Sequence, residues 1–415
     1  MTHVPSTSRG RFIGGAAAAS AAAFGFPGIL SAQSKQIVIG LNVPQSGPYS
    51  DQGLDQLRAY NLAIDQVNKS GGIMGLQVKA SVGDDQTKAD VAVQNAQNMI
   101  DRDGAVMITG GSSTGTAVAV SGLCQRKGSL FMATLTHGDD TTNQACHKHT
   151  FRRYNDAYMS SQALARTLIS KYGTGTWFHI TADYSWGWSV HDNLAAVVNP
   201  KGAKEIAYVK LKLGTTDFSA ALSQAQAAKP DVLVLTEFGA DMVNCLNQAA
   251  TFGLTKSCKI LVPLVDEYMA KGTKDNFTNV VSTAPFYWQY HEKSYNEAKT
   301  FVRAFYDRYK TYPSNGAECA YVNILVYKKA VERAQSTDPA KLIPILETMQ
   351  WNLTKGPEHF RKEDHQGVNS VLVVEGLPEA DRGEGGFAYA KVLEEHNGPG
   401  VMAPIDGLVC KMETA

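Results

Sequence analysis

"NKSGGIMGLQVKASVGDDQTKADVAVQNAQNMI", residues 68–100, decides the fold. Gly71, Gly72 and Gly75 crowd its start, as in a loop that cradles phosphate. What precedes them is "LDQLRAYNLAIDQVNKS", with Leu57, Tyr60, Ala63, Ile64 and Val67 at spacings of three and four. That spacing lays one apolar face along a helix. Gly71 and Gly72 end the helix, because glycine takes the left-handed cap conformation without steric cost. "LQVKASVGD" then alternates apolar and polar residues and predicts a strand. A phosphate loop needs strand, glycines and helix N-terminus in that order, and here the order is reversed. The glycines join a helix to a strand, and a nucleotide site is excluded at this position.

Outward from this stretch the alternation continues. "QIVIGLNV" (36–43) precedes it as a strand, with "GPYSDQG" as the turn into the helix. After it come a helix at 88–100, a strand at 104–111, a helix opened by Ser/Thr at 112–128 and a strand at 129–136. Helix–strand units follow at 158–183, 185–213, 217–239 and 240–265. Repeated βα units predict parallel sheets with helices on both faces. Those before about Phe151 make one domain, and those from Ala157 to about Ala284 a second. Two such domains leave a cleft at the C-terminal ends of their strands. Beyond Pro285 the pattern changes to two helices, "NEAKTFVRAFYDRYKTYP" and "ECAYVNILVYKKAVERA", then strand-like "HFRKE", "VLVVEG" and "FAYAKVLE".

Bulk composition agrees. A chain of 415 residues suits two domains rather than one core. Its 39 basic and 39 acidic residues balance, so nothing points to nucleic acid or an anionic membrane surface. The first 32 residues carry Arg9 and Arg11, no acid, and the apolar run "FIGGAAAASAAAFGFPGIL" ahead of "SAQS". That is the pattern of a signal peptide cleaved after Ala32, and it predicts a periplasmic protein. The run is too short and too broken by Gly and Pro for a membrane anchor. "SRGRFIGG" resembles the twin-arginine export motif with Gly10 between the arginines, which leaves the Sec and Tat routes both open. No Cys follows "ILSAQ", which argues against a lipid anchor. Cleavage leaves 37 basic against 39 acidic residues, a net charge of −2.

All six cysteines lie beyond the cleavage point. An even number in an exported chain predicts disulfides, and pairing of sequence neighbours gives Cys124–Cys146, Cys245–Cys258 and Cys319–Cys410. Buried free thiols are the alternative. No spacing of Cys or His suggests zinc, and no cofactor motif is present.

"NKSGGIMGLQV" resembles the Asn-x-x-Gly-Gly-Ile-x-Gly turn of type I periplasmic solute-binding proteins, the branched-chain amino acid (Leu/Ile/Val) binding relatives that feed ABC transporters. "IVIGLNVPQSGPYSDQG", "SSTGTAVA", "FRRYNDAYMSSQ", "DYSWGWSV" and "TTDFSAALSQAQAAKPDVLVL" fall in the same order as in that family, from Lys35 to about Leu393. The resemblance implies two doubly wound α/β lobes joined by three crossovers, near 147–153, 282–287 and 371–375, that close on a ligand by hinge motion. It implies a first lobe of residues 33–150 with about 288–370, and a second of 151–285 with about 371–415. It implies a monomer that works with a small-molecule solute and permease subunits.

The same resemblance places ligand contacts. From the first lobe come Ser112, Ser113 and Thr114 of "GGSSTGT", then Thr134, Thr136 and His137 of "ATLTHGD". Hydroxyls and free N–H groups at a helix start suit a carboxylate; plain capping is the alternative, and it needs only one of the three. His137 either hydrogen-bonds the solute or lines the wall. From the second lobe come Trp186, where relatives carry Tyr, and Phe238. Trp186 either covers an apolar solute or packs within its lobe. Relatives that bind amino acids follow a Pro with an acid that pairs with the ammonium. Here Leu264 follows Pro263, with Asp266 and Glu267 beyond it. That substitution favours an aromatic or aliphatic carboxylate; an amino acid held through Asp266 stays open.

Of the enzyme motifs, neither HExxH nor a Walker sequence occurs, and "GSSTG" (111–115) matches GxSxG by spacing alone. A sensor ectodomain of this fold would need an anchor or a signalling domain, and none is expected here.

Overall fold

The computed structural model describes residues 36–412. The expected signal peptide and its cleavage point lie outside them.

Five parallel strands form the first sheet: β1 (Ile37–Val43), β2 (Val78–Asp84), β3 (Ala105–Gly110), β4 (Leu130–Ala133) and β5 (Thr150–Arg152). Their order is β2-β1-β3-β4-β5. The apolar face read around Tyr60 belongs to the helix Ser50–Lys69, which buries Tyr60, Ala63, Ile64 and Val67. The glycine turn follows it, as its order in the chain required. Gly72 has φ +79°, and a Cβ there would lie 2.0 Å from the Leu76 carbonyl oxygen, so no other residue closes this turn. Asn68 then ties the turn to β2, accepting from Val78 N at 2.7 Å and donating to its carbonyl at 2.9 Å.

The second sheet has seven strands. β6 (Thr176–Ala182), β7 (Lys204–Leu211), β8 (Val232–Thr236), β9 (Lys259–Val262) and β10 (Val281–Ala284) are parallel. A hairpin of three strands, β11 (Gln350–Leu353), β12 (Gly356–Phe360) and β13 (Gly367–Val368), lies apart from both sheets. β14 (Val371–Gly376) then pairs antiparallel with β10, and β15 (Ala390–His396) pairs antiparallel with β14 at the sheet edge. Strands buried on both faces read as near-continuous apolar runs, and β8 and β14 are buried at every position. The helix Asn315–Ala334 returns to the first lobe and packs along Ser50–Lys69. The architecture is the two-lobed α/β arrangement expected.

The chain leaves the first sheet after Arg152 and enters the second lobe at the helix Ala157–Tyr172. This crossing is clamped by residues 366–369. Gln366 donates to Tyr154 O at 2.8 Å, Asn369 donates to Arg153 O at 2.7 Å, and Asn155 donates to Asn369 Oδ1 at 2.8 Å. Arg153 lies fully buried between two carboxylates. It bonds both oxygens of Glu318 at 2.7 Å and Glu358 Oε2 at 2.7 Å. A buried guanidinium tolerates this position only because those partners meet its charge in place of water.

The cysteine pairing differs from the expectation. One disulfide is present, Cys146–Cys410, with Cα atoms 5.6 Å apart. Cys124, Cys245, Cys258 and Cys319 are free thiols, so none of Cys124–Cys146, Cys245–Cys258 or Cys319–Cys410 forms. Cys146 and Cys410 take each other as partners, and the other four are held elsewhere. Cys124 packs beside Ala117, Val120 and Phe131. Cys245 and Cys319 point into the core of their own helices' packing, and Cys319 Sγ lies 3.8 Å from Thr134 O. Cys258 turns its Sγ back to Leu254 O at 3.3 Å. Burial pushes the Cys124 and Cys319 thiols up to about 12, far from the reactive thiolate form.

Candidate functional site

The C-terminal ends of both sheets face one another, and the loops that leave them make a common wall. β3 ends in Gly110 and Gly111, and at Gly110, with φ +131°, a Cβ would lie 2.2 Å from Asn42 O. This tight turn delivers Ser112–Thr114 to the start of the helix Thr114–Lys127. The hydroxyls then divide their work. Ser113 is the cap, accepting from Thr116 N at 3.2 Å. Ser112 and Thr114 stand on the cavity side. Each already accepts a hydrogen bond, Ser112 from Gln56 Nε2 and Thr114 from Gly138 N, both at 2.9 Å. Their hydroxyl protons are thereby left to be donated.

Eight residues line a small cavity between the lobes: Ser112, Thr114, Leu135 and His137 from the first, Tyr184, Trp186, Phe238 and Leu264 from the second. Six of the ten expected contacts are among them. Thr134 is not; its hydroxyl is bonded to Tyr60 in the core. Thr136 is fully buried behind the wall with Oγ1 unpartnered. Asp266 is also outside the lining. Its Oδ1 accepts from Met269 N at 2.9 Å and caps the helix Glu267–Thr273, while burial pushes its carboxyl up to about 6.

His137 spans the lobes. Its Nε2 lies 2.9 Å from Ser160 Oγ of the second lobe, and its Nδ1 is buried without a partner. Burial, helped by the Arg152 charge, lowers its pKa to about 3, so the ring is neutral. Trp186 is buried edge-on to Phe238, with centroids 6.1 Å apart, and its Nε1–H is also unpartnered. Indole N–H is a donor only. No carboxylate lines this cavity.

Tyr49, Leu135 and Tyr184 were not singled out from the sequence. Tyr49 and Tyr184 hydroxyls meet at 3.0 Å across the seam, and Tyr49 stands edge-on to Phe238 at 5.2 Å. Both tyrosines sit in loops that directly follow strands β1 and β6, where ligands of parallel sheets bind. Among the described residues no group of His, Cys, Asp and Glu could hold a metal ion, and no helix is long and apolar enough to cross a membrane.

Two lobes closing on a cavity lined by hydroxyls and aromatic rings define a binding protein for small solutes. A model of the periplasmic binding protein family matches residues 36–381, and the chain belongs to that family. It is 26% identical over 321 residues to "Leu/Ile/Val-binding protein homolog 3" of Brucella melitensis biotype 1, covering 76% of this chain and 84% of that one. A periplasmic binding protein of Burkholderia mallei has the same fold, with a TM-score of 0.84 and 26% identity over 91% of this chain and 99% of its own. A solute-binding protein of an ABC transporter from Rhodopseudomonas palustris BisB5, solved with 3,4-dihydroxybenzoic acid, shares the fold at a TM-score of 0.79. Its identity is 21%, and the match covers 88% of this chain and 98% of that one.

Proposed function

We propose that this protein captures a small organic acid with an aromatic or aliphatic body between its lobes in the periplasm and delivers it to the permease of an ABC importer. The observation that carries the reading is the polarity of the cavity wall. Its unspent polar atoms are the Ser112 and Thr114 hydroxyls, the neutral His137 ring and the Trp186 N–H, all able to donate. Its remaining surface is Leu135, Tyr184, Phe238 and Leu264. Donors at one end and rings at the other suit a carboxylate on an apolar frame. The helix N-terminus at Thr114 adds its dipole to the same end. The cavity as it stands is too small for a solute, so the walls must part to admit one. A solute that touches both lobes favours the closed arrangement, which is the shape a permease can read.

An α-amino acid is the second reading. Glu267, first residue of the helix that Asp266 caps, is buried with both side-chain oxygens unpartnered, and an ammonium would relieve that. Calorimetry separates the two. Benzoate or an aliphatic carboxylate binding more tightly than leucine supports the first reading; tight leucine binding with no carboxylate binding replaces it with the second.

A further inference from the structure

We propose that the C-terminal segment is a covalent tether across the seam between the lobes, locked by Cys146–Cys410, and that reduction of this bond loosens lobe closure. The segment starts in the second lobe. β15 is the edge strand of the second sheet, and the short helix Gly398–Val401 packs on the helix Ala157–Tyr172. Arg166 holds it there, donating to Gly400 O at 2.7 Å. The segment then leaves that lobe. Arg361, in the connection between β12 and β13, donates to Ala403 O at 2.6 Å. Val409 N donates to Asn143 Oδ1 at 2.8 Å, and Cys410 is joined to Cys146. Asn143 and Cys146 lie in the loop between β4 and β5 of the first sheet. The end of the chain is thereby bonded to the lobe opposite the one it came from.

The bond joins cysteines 264 positions apart, and the ring it closes contains every strand of the second sheet. It is a link between the lobes additional to the chain crossings. Beside it a cleft of about 540 Å³ is lined by Asp139 and Asn143 of the first lobe, Trp188 and Asp192 of the second, and Pro404 and Leu408 of the tether, and Asp139 bridges the lobes there, accepting from Tyr158 N at 3.0 Å and Asn193 Nδ2 at 2.6 Å. From Gly400 to Cys410 is about ten residues, at most ~33–36 Å when extended. A tether of that reach permits opening. It acts by removing conformations from the open ensemble, as any loop closure does. Cutting it returns those conformations and shifts the balance toward open.

The chemistry is selective. Cys410 is half-buried on a segment whose residues 404–407 and 409 are exposed, so a small dithiol can reach the bond. Attack by one thiolate of the dithiol opens the S–S bond through a mixed disulfide. Its second thiol completes the exchange, leaving Cys146 and Cys410 as two thiols and the reagent as its own disulfide, two electrons and two protons having passed to the protein. The inference rests on the two-lobed fold and not on which solute the cavity takes.

Hydrogen–deuterium exchange on the exported, solute-free protein tests it, comparing oxidised wild type, wild type treated with dithiothreitol, and Cys410→Ser. In both untethered forms, amides at the seam should exchange faster by on the order of tenfold, Ala240 N–H (3.2 Å from Pro48 O) among them, while the strands of both sheets keep their protection. Cys124→Ser, which alters a thiol outside the tether, should match oxidised wild type. Equal seam exchange in the tethered and untethered forms would overturn the proposal. So would loss of protection throughout both sheets, which would make the bond a support of the fold, or peptide mapping that finds Cys146 and Cys410 unlinked in the oxidised protein.

Discussion

The hydroxyl of Tyr49 lies 3.0 Å from the hydroxyl of Tyr184, and the two residues are 135 positions apart on opposite lobes. The bond exists only while the lobes are closed, so it stabilises that arrangement alone. A hydrogen bond of this kind contributes about 0.5–1.5 kcal/mol net, a factor of roughly two to ten. Tyr49→Phe should therefore weaken solute binding by that factor and widen the solute-free protein in X-ray scattering, with little change in the denaturation midpoint.

Gly239 opens the second-lobe helix that meets the first lobe at Pro48. Its φ is +58°, and a Cβ there would lie 2.7 Å from both Pro48 O and Tyr49 Cδ1. Pro48 is across the seam, so the clash arises on closure. Gly239→Ala should lower solute affinity by about tenfold or more, with a stability cost of only about 1–3 kcal/mol from the backbone conformation. Titration calorimetry and denaturant unfolding read the two effects separately.

Leu264 lines the cavity, and on the proposed reading it stands where an acid would pair with an ammonium. Leu264→Glu puts a carboxylate against the solute's apolar body. Benzoate affinity should fall by at least about tenfold, since burying a charge without a partner costs several kcal/mol. Leucine affinity should rise. Competition calorimetry with the two ligands gives both numbers, and a variant that still prefers benzoate would place the ammonium position elsewhere.

Arg153 shares its buried charge between Glu318 and Glu358. Glu318→Ala leaves Glu358 as the one carboxylate beside two buried cations, Arg153 and Lys355, with no water to replace the lost partner. Breaking a buried pair from one side typically costs about 3–5 kcal/mol. Urea denaturation should show that loss, and because the network anchors the crossing at Arg152–Asn155, solute affinity should fall with it.

Glu237 is buried with both oxygens unpartnered, close to Asp241, Tyr49, Tyr184 and Cys245. Burial, and then the Asp241 charge, pushes its carboxyl from 4.5 up to about 9. A folded pKa above the unfolded one means the native state holds the proton more tightly. That stabilisation is complete below about pH 4.5 and is lost as pH rises toward 9. Glu237→Gln has no proton to lose. It should unfold like wild type near pH 4 and be more stable by roughly 3–5 kcal/mol at pH 8, which thermal melts across that range will show.

The βα alternation was legible because it is local: a helix face repeats within four residues and a strand within two, so Tyr60, Ala63 and Ile64 announce their partners at short range. Trp186, Phe238 and Leu264 were legible through the ordered set of motifs around them. The division among Ser112, Ser113 and Thr114 was not. One residue of helix start turns a side chain by about 100°, and which hydroxyl faces the cavity and which caps depends on where the turn at Gly110 aims the helix.

By itself the sequence determined the βα alternation from β1 to β9, the α/β class and the helix-to-strand role of the glycine turn at 71–75, because periodicity and glycine placement act between neighbours; the short strands β5 and β10 carried too little pattern to be read. The tertiary structure alone decided that Cys146 bonds Cys410, that Asp266 caps a helix instead of lining the cavity, and that Tyr49 meets Tyr184. Each of those depends on where two distant segments come to rest once both sheets have packed, and the burial of apolar surface that drives the packing carries no direction of its own.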